Sequence, residues 1–131
     1  MKAKYIADTV AVILWLEKRK MPKKVKYLFE NAEIGQIKIY IPSIVFAEIA
    51  YLSERKRIEI NLRIVKDYLQ RNGDIAELPL TFEMVENAFK ISDIPELHDR
   101  LISAAAMDPD AVIITNDPEI RKSKFVKAIW D

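Results

Sequence analysis

The sequence predicts an α/β fold: a short parallel β-sheet flanked by α-helices on both faces. Three observations lead there. Short apolar or alternating runs separate amphipathic segments of helix length along the whole chain. Strands that alternate with helices close most simply as parallel neighbours joined by helical crossovers. No Pro/Gly/Ser-rich linker, internal repeat or low-complexity stretch divides the 131 residues, so one domain over 1–131 is expected.

The elements follow in order. Lys4 to Ala7 reads as a strand ending at Asp8, and Thr9 to Lys18 as an apolar helix. Pro22 suits the start of a second helix running to about Glu33, with Val25, Leu28, Phe29 and Ala32 at helical spacing. Gly35 closes it. Ile37 to Ile41 alternates and is β-branched, hence a second strand. Pro42-Ser43 opens a third helix, with Ser43 as its expected N-cap. A charged break at Glu54 to Arg57 precedes a fourth helix marked by Ile60, Ile64, Val65, Tyr68 and Leu69, which stops near Asn72-Gly73. Ile75 to Leu78 is a third strand. Thr81 caps a fifth helix carrying Val85, Ala88 and Phe89, and a sixth runs from about Leu97 to Met107. Ala111 to Thr115 is nearly all apolar and therefore an interior strand. Asp117-Pro118 starts a helical turn, and Phe125 to Trp130 is a last strand.

The rare residues exclude much chemistry. With no Cys there is no disulfide, thiolate nucleophile or thiolate metal site. One His, His98, cannot build a His-rich zinc site within one chain. Two distant Gly, Gly35 and Gly73, make neither a P-loop nor a dinucleotide-binding turn. No apolar run is long enough to span a membrane. The start leads straight into a strand pattern and does not read as a signal peptide, so a cytoplasmic location is expected. The net charge is only +1, but the charges are segregated. Met1 to Tyr27 carries eight Lys or Arg against two acids, and Asp74 to Glu119 eleven acids against Lys90 and Arg100. Such asymmetry suggests an acidic feature bordered by basic surface, although solvated helix faces explain any single cluster equally well.

Four acids stand in settings that ask for a reason. Asp8 is at a strand-to-helix handover, where open α/β sheets bind ligands. It also suits a plain N-cap. Glu48 is the one charged residue in Ile44 to Leu52. A helix so apolar is expected to be largely buried, and a buried carboxylate needs a partner. Asp99 lies in a first helical turn, where the helix dipole favours it and where Arg100 or His98 offers a local pair. Asp117 ends an apolar strand before Pro118, as acids in turns often do. If the four converge, mutual repulsion raises some pKa values unless a cation neutralises them. Hard oxygen ligands without His or Cys select Mg²⁺ or Mn²⁺.

The order of these motifs resembles a PIN-domain nuclease, and more narrowly a VapC-type ribonuclease toxin. The resemblance rests on Ile6-Ala7-Asp8-Thr9, Ile41 to Ile49, Leu97 to Ala106 and Ile113-Ile114-Thr115-Asn116-Asp117. It implies a PIN-like domain in which Asp8, Glu48, Asp99 and Asp117 are catalytic, metal-binding acids supported by Thr9 and Thr115. Val10 departs from the pattern, since a small Ser is frequent there.

The function so implied is Mg²⁺- or Mn²⁺-dependent hydrolysis of RNA by the toxin of a VapBC pair. A VapB-type antitoxin and a second copy of the chain are the expected partners. Lys18, Arg19, Lys20, Lys23, Lys24 and Lys26, with Arg121, Lys122 and Lys124, are candidates for RNA backbone contacts. The apolar Ile13, Leu14, Trp15 and Leu16 suit either the core or an interface. A noncatalytic PIN-like module that binds RNA or protein, and a PIN nuclease in RNA processing, are the alternatives. A receiver-like phosphoacceptor lacks its paired acids here, and a two-carboxylate glycosidase its groove-lining aromatics.

Overall fold

Twelve elements realise the alternation. The computed structural model describes residues 4–131, and residues 1–3 of the expected domain lie outside them. Strand β1 is Lys4–Ala7, followed by α1 (Thr9–Leu16) and α2 (Lys23–Glu33). Strand β2 (Ile39–Pro42) leads to α3 (Ser43–Glu54) and α4 (Leu62–Arg71). Strand β3 (Ile75–Leu78) leads to α5 (Phe82–Ala88) and α6 (Leu97–Ala104). The chain ends with β4 (Ala111–Ile114), α7 (Pro118–Arg121) and β5 (Ala128–Ile129).

The strands form one sheet in the order β3-β2-β1-β4-β5, and every pairing is parallel. The chain first steps outward from β1 through β2 to β3, then returns past β1 to β4. Right-handed crossovers taken in opposite directions put helices on both faces. β1 is the central strand. Its Ile6 and Ala7 are buried, as are Ile39 and Ile41 of β2 and Ile113 and Ile114 of β4. β1 and β4 pair along their whole length, from Lys4 opposite Ala111 to Ala7 opposite Ile114. The sheet order reverses between these two strands, and a crevice opens at their carboxyl ends.

Several local details differ from the sequence expectations. Ser43 does not cap α3. Pro42 occupies that position with no side-chain bond, and the Ser43 hydroxyl donates across to Glu77 Oε2 at 2.9 Å. α6 stops at Ala104 because the next N–H groups tighten to partners three residues back, Ala105 to Ile102 and Ala106 to Ser103. β5 is reduced to Ala128–Ile129, where its edge position finds partners only in Ile113 and Ile114. α3 is less buried than its apolar sequence suggests. Only Val45 and Ile49 are buried, while Ala47 and Tyr51 are exposed. In α1, Ile13 is core, and Trp15 stacks on Phe29 at 5.1 Å between ring centroids.

Ile6 sits at the middle of the central strand with 1% of its surface exposed. Ile6→Ala is therefore expected to cost about 2–5 kcal/mol, as other large-to-small core changes do. Urea denaturation followed by far-ultraviolet circular dichroism checks this, through a lower midpoint at unchanged slope.

Candidate functional site

The carboxyl ends of β1 and β4 bring the first and last acids together. The Asp8 N–H donates to Ile114 O at 3.2 Å, so the residue after β1 is fixed to the last residue of β4. Asp8 then caps α1, its Oδ1 accepting from the Ala11 N–H at 2.9 Å. Asp117 caps α7 in the same manner, accepting from the Glu119 N–H at 2.8 Å. The capping explanations are thus correct for both residues. They are also incomplete, because one oxygen of a carboxylate suffices for a cap.

The other two acids arrive on helices. The Thr9 hydroxyl donates to Glu48 Oε1 and holds α3 against the start of α1. His98 Nδ1 lies 3.6 Å from the other Glu48 oxygen and 3.5 Å from Glu96 Oε2. Asp99 follows on α6. Its neighbours do not pair with it: Arg100 donates to Ile94 O and lies over the Phe89 ring, and His98 turns to Glu48 and Glu96. Among the described residues, none donates a hydrogen bond to the Asp99 carboxylate. Thr115 is fully buried behind the site, and its hydroxyl accepts from the Asp117 N–H at 3.1 Å.

Electrostatics registers the convergence. Burial pushes the Asp8 carboxyl up to about 6, helped by the charges of Asp117 and Glu48. Contacts with the Thr115 hydroxyl and the Ala11 N–H pull it partly back. The Asp99 carboxyl is pushed up to about 7, first by desolvation and then by the charges of Asp117, Glu96, Glu48 and Asp8. Glu48 and Asp117 thus both act on Asp8 and on Asp99, as repulsion among converging carboxylates requires. Glu96 is a fifth acid that the sequence reading passed over. It is the N-cap of α6, accepting from the Asp99 N–H at 2.8 Å. An acid three residues before Asp99, ahead of an apolar run, was the available signal.

The donor set fits a hard divalent cation in chemistry and in charge. It offers carboxylate and hydroxyl oxygens only, with an excess of negative charge. The side chains as they stand are not closed around an ion. Among the described residues no group of three or more acidic or His side chains is already arranged to hold one.

The predicted basic residues are not all at this edge. α1 is eight residues long, so Lys18, Arg19 and Lys20 lie roughly 12 Å or more along its axis from Asp8. Lys18, Arg19 and Lys26 line a separate cavity of about 580 Å³ with Trp15, Tyr68 and Arg71. Lys23 and Lys24 are exposed at the start of α2, and Lys24 donates to Asp131 O. Arg121 pairs with Asp131 and Lys122 with Glu119, on the α7 side.

Comparison with known proteins agrees with this architecture. The family model described as PIN domain matches residues 5–126. No curated protein gives a significant sequence match. Among solved structures, the chain is similar to VapBC2 from Rickettsia felis bound to a promoter DNA fragment, with a TM-score of 0.74 and 22% identity over 98% of this chain and 99% of that one. It is similar to DNA-bound VapBC from Salmonella typhimurium, with a TM-score of 0.72 and 19% identity over 97% of each chain. It is also similar to VapC20 from Mycobacterium tuberculosis, described as a sarcin-ricin loop cleaving toxin, with a TM-score of 0.67 and 15% identity over 97% of this chain and 99% of that one.

The raised Asp8 pKa carries a stability consequence. A carboxyl that titrates near 6 when folded and at 3.8 otherwise stabilises the fold only while it holds its proton. That contribution is complete below about pH 4 and is lost as pH rises to 6. At pH 7.5 in chelator, Asp8→Asn keeps the capping oxygen and removes the buried charge. It is expected to be more stable than the wild type by on the order of 2 kcal/mol, and the advantage is expected to vanish near pH 4. Differential scanning calorimetry across that range checks both ends.

Proposed function

The chain belongs to the PIN domain family, and we propose that it is a metal-dependent endoribonuclease, the toxin of a VapBC-type pair. The observation that supports this best is the convergence of Asp8, Glu48, Asp99 and Asp117 from four separate segments toward the carboxyl ends of β1 and β4, where burial first and acidic neighbours second raise the pKa of Asp8 and Asp99. Four acids in one crevice with no Lys or Arg paired to them among the described residues ask for an external cation.

In this reading Asp8, Glu48, Asp99 and Asp117 hold Mg²⁺ or Mn²⁺. When bound, the cation lowers the pKa of a water and offsets the charge of a phosphodiester. The chain's own residues supply position. Asp8 is fixed by the β1–β4 pairing and by the Ala11 N–H. Thr9 orients Glu48, and Thr115 packs behind Asp8 while fixing the backbone of Asp117. Asp99, accepting no hydrogen bond from the described residues, is free to turn toward a ligand. Val10 supplies no hydroxyl, so Thr9 is the hydroxyl that α1 contributes here.

The structurally similar Rickettsia felis and Salmonella typhimurium proteins are VapBC assemblies, which supports a VapB-type antitoxin as partner. VapC20 is described as cleaving the sarcin-ricin loop, which supports RNA as the substrate class. A homodimer and a cytoplasmic setting belong to the same proposal. Among the described residues no helix is long and apolar enough to cross a membrane. One observation favours a second reading, a noncatalytic PIN-like module: the acids are not closed around an ion.

Two measurements separate these readings. Cleavage of a labelled RNA pool is expected with Mg²⁺ or Mn²⁺, to stop on chelation, and to fall at least a hundredfold in Asp8→Asn with circular dichroism unchanged. Equal cleavage by both proteins would sink the assignment. Calorimetric Mn²⁺ binding is expected to strengthen as pH rises from 5.5 to 7.5, because carboxyls that titrate near 6 and 7 must shed protons to ligate. Absence of Mn²⁺ binding at any pH supports the noncatalytic module.

A further inference from the structure

α3 continues past Glu48 into a feature that the acid crevice does not use. Glu48 is also a wall of a cavity of about 570 Å³, completed by Ile44, Ala47, Tyr51, Leu52 and His98. Tyr51 lies one helical turn beyond Glu48 and remains 54% exposed. The Arg55 guanidinium stacks over its ring at 4.6 Å from the centroid. One face of the ring is therefore covered by a cation, and the exposure that remains leaves the other accessible. Arg55, Lys56 and Arg57 follow, all exposed, and none is in an ion pair among the described residues. Lys56 and Arg57 share a further hollow with Arg19.

An aromatic plane backed by Arg, beside unpaired cations, is the chemistry that binds single-stranded nucleic acid without regard to sequence. A nucleic acid whose phosphate sits in the acid crevice must place a neighbouring base close by. The Tyr51 cavity shares Glu48 with that crevice. We propose that Tyr51 is the stacking platform for the base of a nucleotide flanking the cut, and that the strand leaves along Arg55, Lys56 and Arg57. This rests on the nuclease reading of the acid crevice. The occupant is a nucleobase, because Arg55 stacks on one face of the Tyr51 ring and the exposed Lys56 and Arg57 that follow it are cations suited to phosphate.

The test uses the full chain in the noncleaving Asp8→Asn background, with RNA binding followed by fluorescence anisotropy. Adding Tyr51→Ala is expected to weaken binding about tenfold or more, whereas Tyr51→Phe, which keeps the ring, is expected to stay within about twofold of the parent. Arg55→Gln with Lys56→Gln is expected to flatten the slope of log affinity against log salt by about 1.4, two phosphate contacts at roughly 0.7 each for a single strand. In the cleaving protein, Tyr51→Ala is expected to raise KM far more than it lowers kcat. Unchanged affinity in Tyr51→Ala, or an unchanged salt slope in the double variant, overturns the subsite and leaves the nuclease reading standing if wild type still cuts. Tyr51-dependent binding without metal-dependent cleavage supports the subsite and overturns the nuclease. Conversion of a dimer to monomer by Tyr51→Ala in sedimentation assigns the surface to a second copy and overturns the subsite.

Discussion

The parallel pairing of β1 with β4 sets the position of everything chemical in this molecule. Those strands are distant in sequence, yet they run in register from Lys4 and Ala111 to Ala7 and Ile114. The register is held by burial on both sides, since Ile6, Ala7, Ile113 and Ile114 are in the core. A slip of one residue would turn these side chains over to the opposite face. In the observed register, the residue that follows β1 and the short loop that follows β4 meet at one edge. Asp8 is tied there by its own N–H to Ile114. The packing of apolar strands, which has no chemistry of its own, thereby fixes the spacing of two carboxylates.

The charge arrangement works against the fold, and this separates a site from a structural feature. Asp93 shows the structural alternative. Its carboxyl accepts from the Ser123 hydroxyl and the Lys124 N–H, both at 2.8 Å, and is held below its ordinary value. Asp108 and Asp131 likewise find cations, Lys4 and Arg121. Asp8 and Asp99 move the other way. Among the described residues Asp8 accepts hydrogen bonds, Asp99 accepts none, and no Lys or Arg pairs with either; their acidic neighbours add repulsion to the cost of burial. A sequence under selection for stability alone would relax such a cluster readily. Repulsion and burial concentrated at one crevice, while Asp93, Asp108 and Asp131 are locally satisfied, is the signature expected of a functional site.

Much of this was legible in the sequence, for reasons that particular residues make plain. β1 and β3 were found at their observed bounds, and α5 at its observed start, because β-branched or apolar runs and the Thr81 cap speak locally; Phe89, read as part of α5, is its C-cap. Asp8 and Asp117 were found because each interrupts an apolar strand end. Ser43 was misread because its preferred partner, Glu77, belongs to a strand 34 residues away, and local capping rules cannot see it. The burial of α3 was overestimated for a similar reason. Apolar content measures the capacity for burial, whereas the number of packed neighbours is decided by topology. The role of Thr9 toward Glu48 is also a long-range fact, 39 residues apart.

The misreading of α3 bears on function. A helix with Ile44, Ala47, Tyr51 and Leu52 around a cavity has more apolar surface than its core contacts use. On a monomer such surface invites a partner. Its position narrows the choice: the cavity is walled by Glu48, one of the four proposed site acids, and by Tyr51, over which Arg55 stacks. An acidic crevice repels a polyanion, and a cluster of carboxylates gives a nucleic-acid strand no reason to approach. Binding energy for the strand must come from elsewhere on the same molecule and must be spent where it aligns the phosphate with the acids. α3 is suited to that because a single rigid helix carries Glu48 and Tyr51 one turn apart. The proposed stacking surface and the proposed metal-binding acid would then move as one body, with the distance between a held base and the phosphate set by helical geometry.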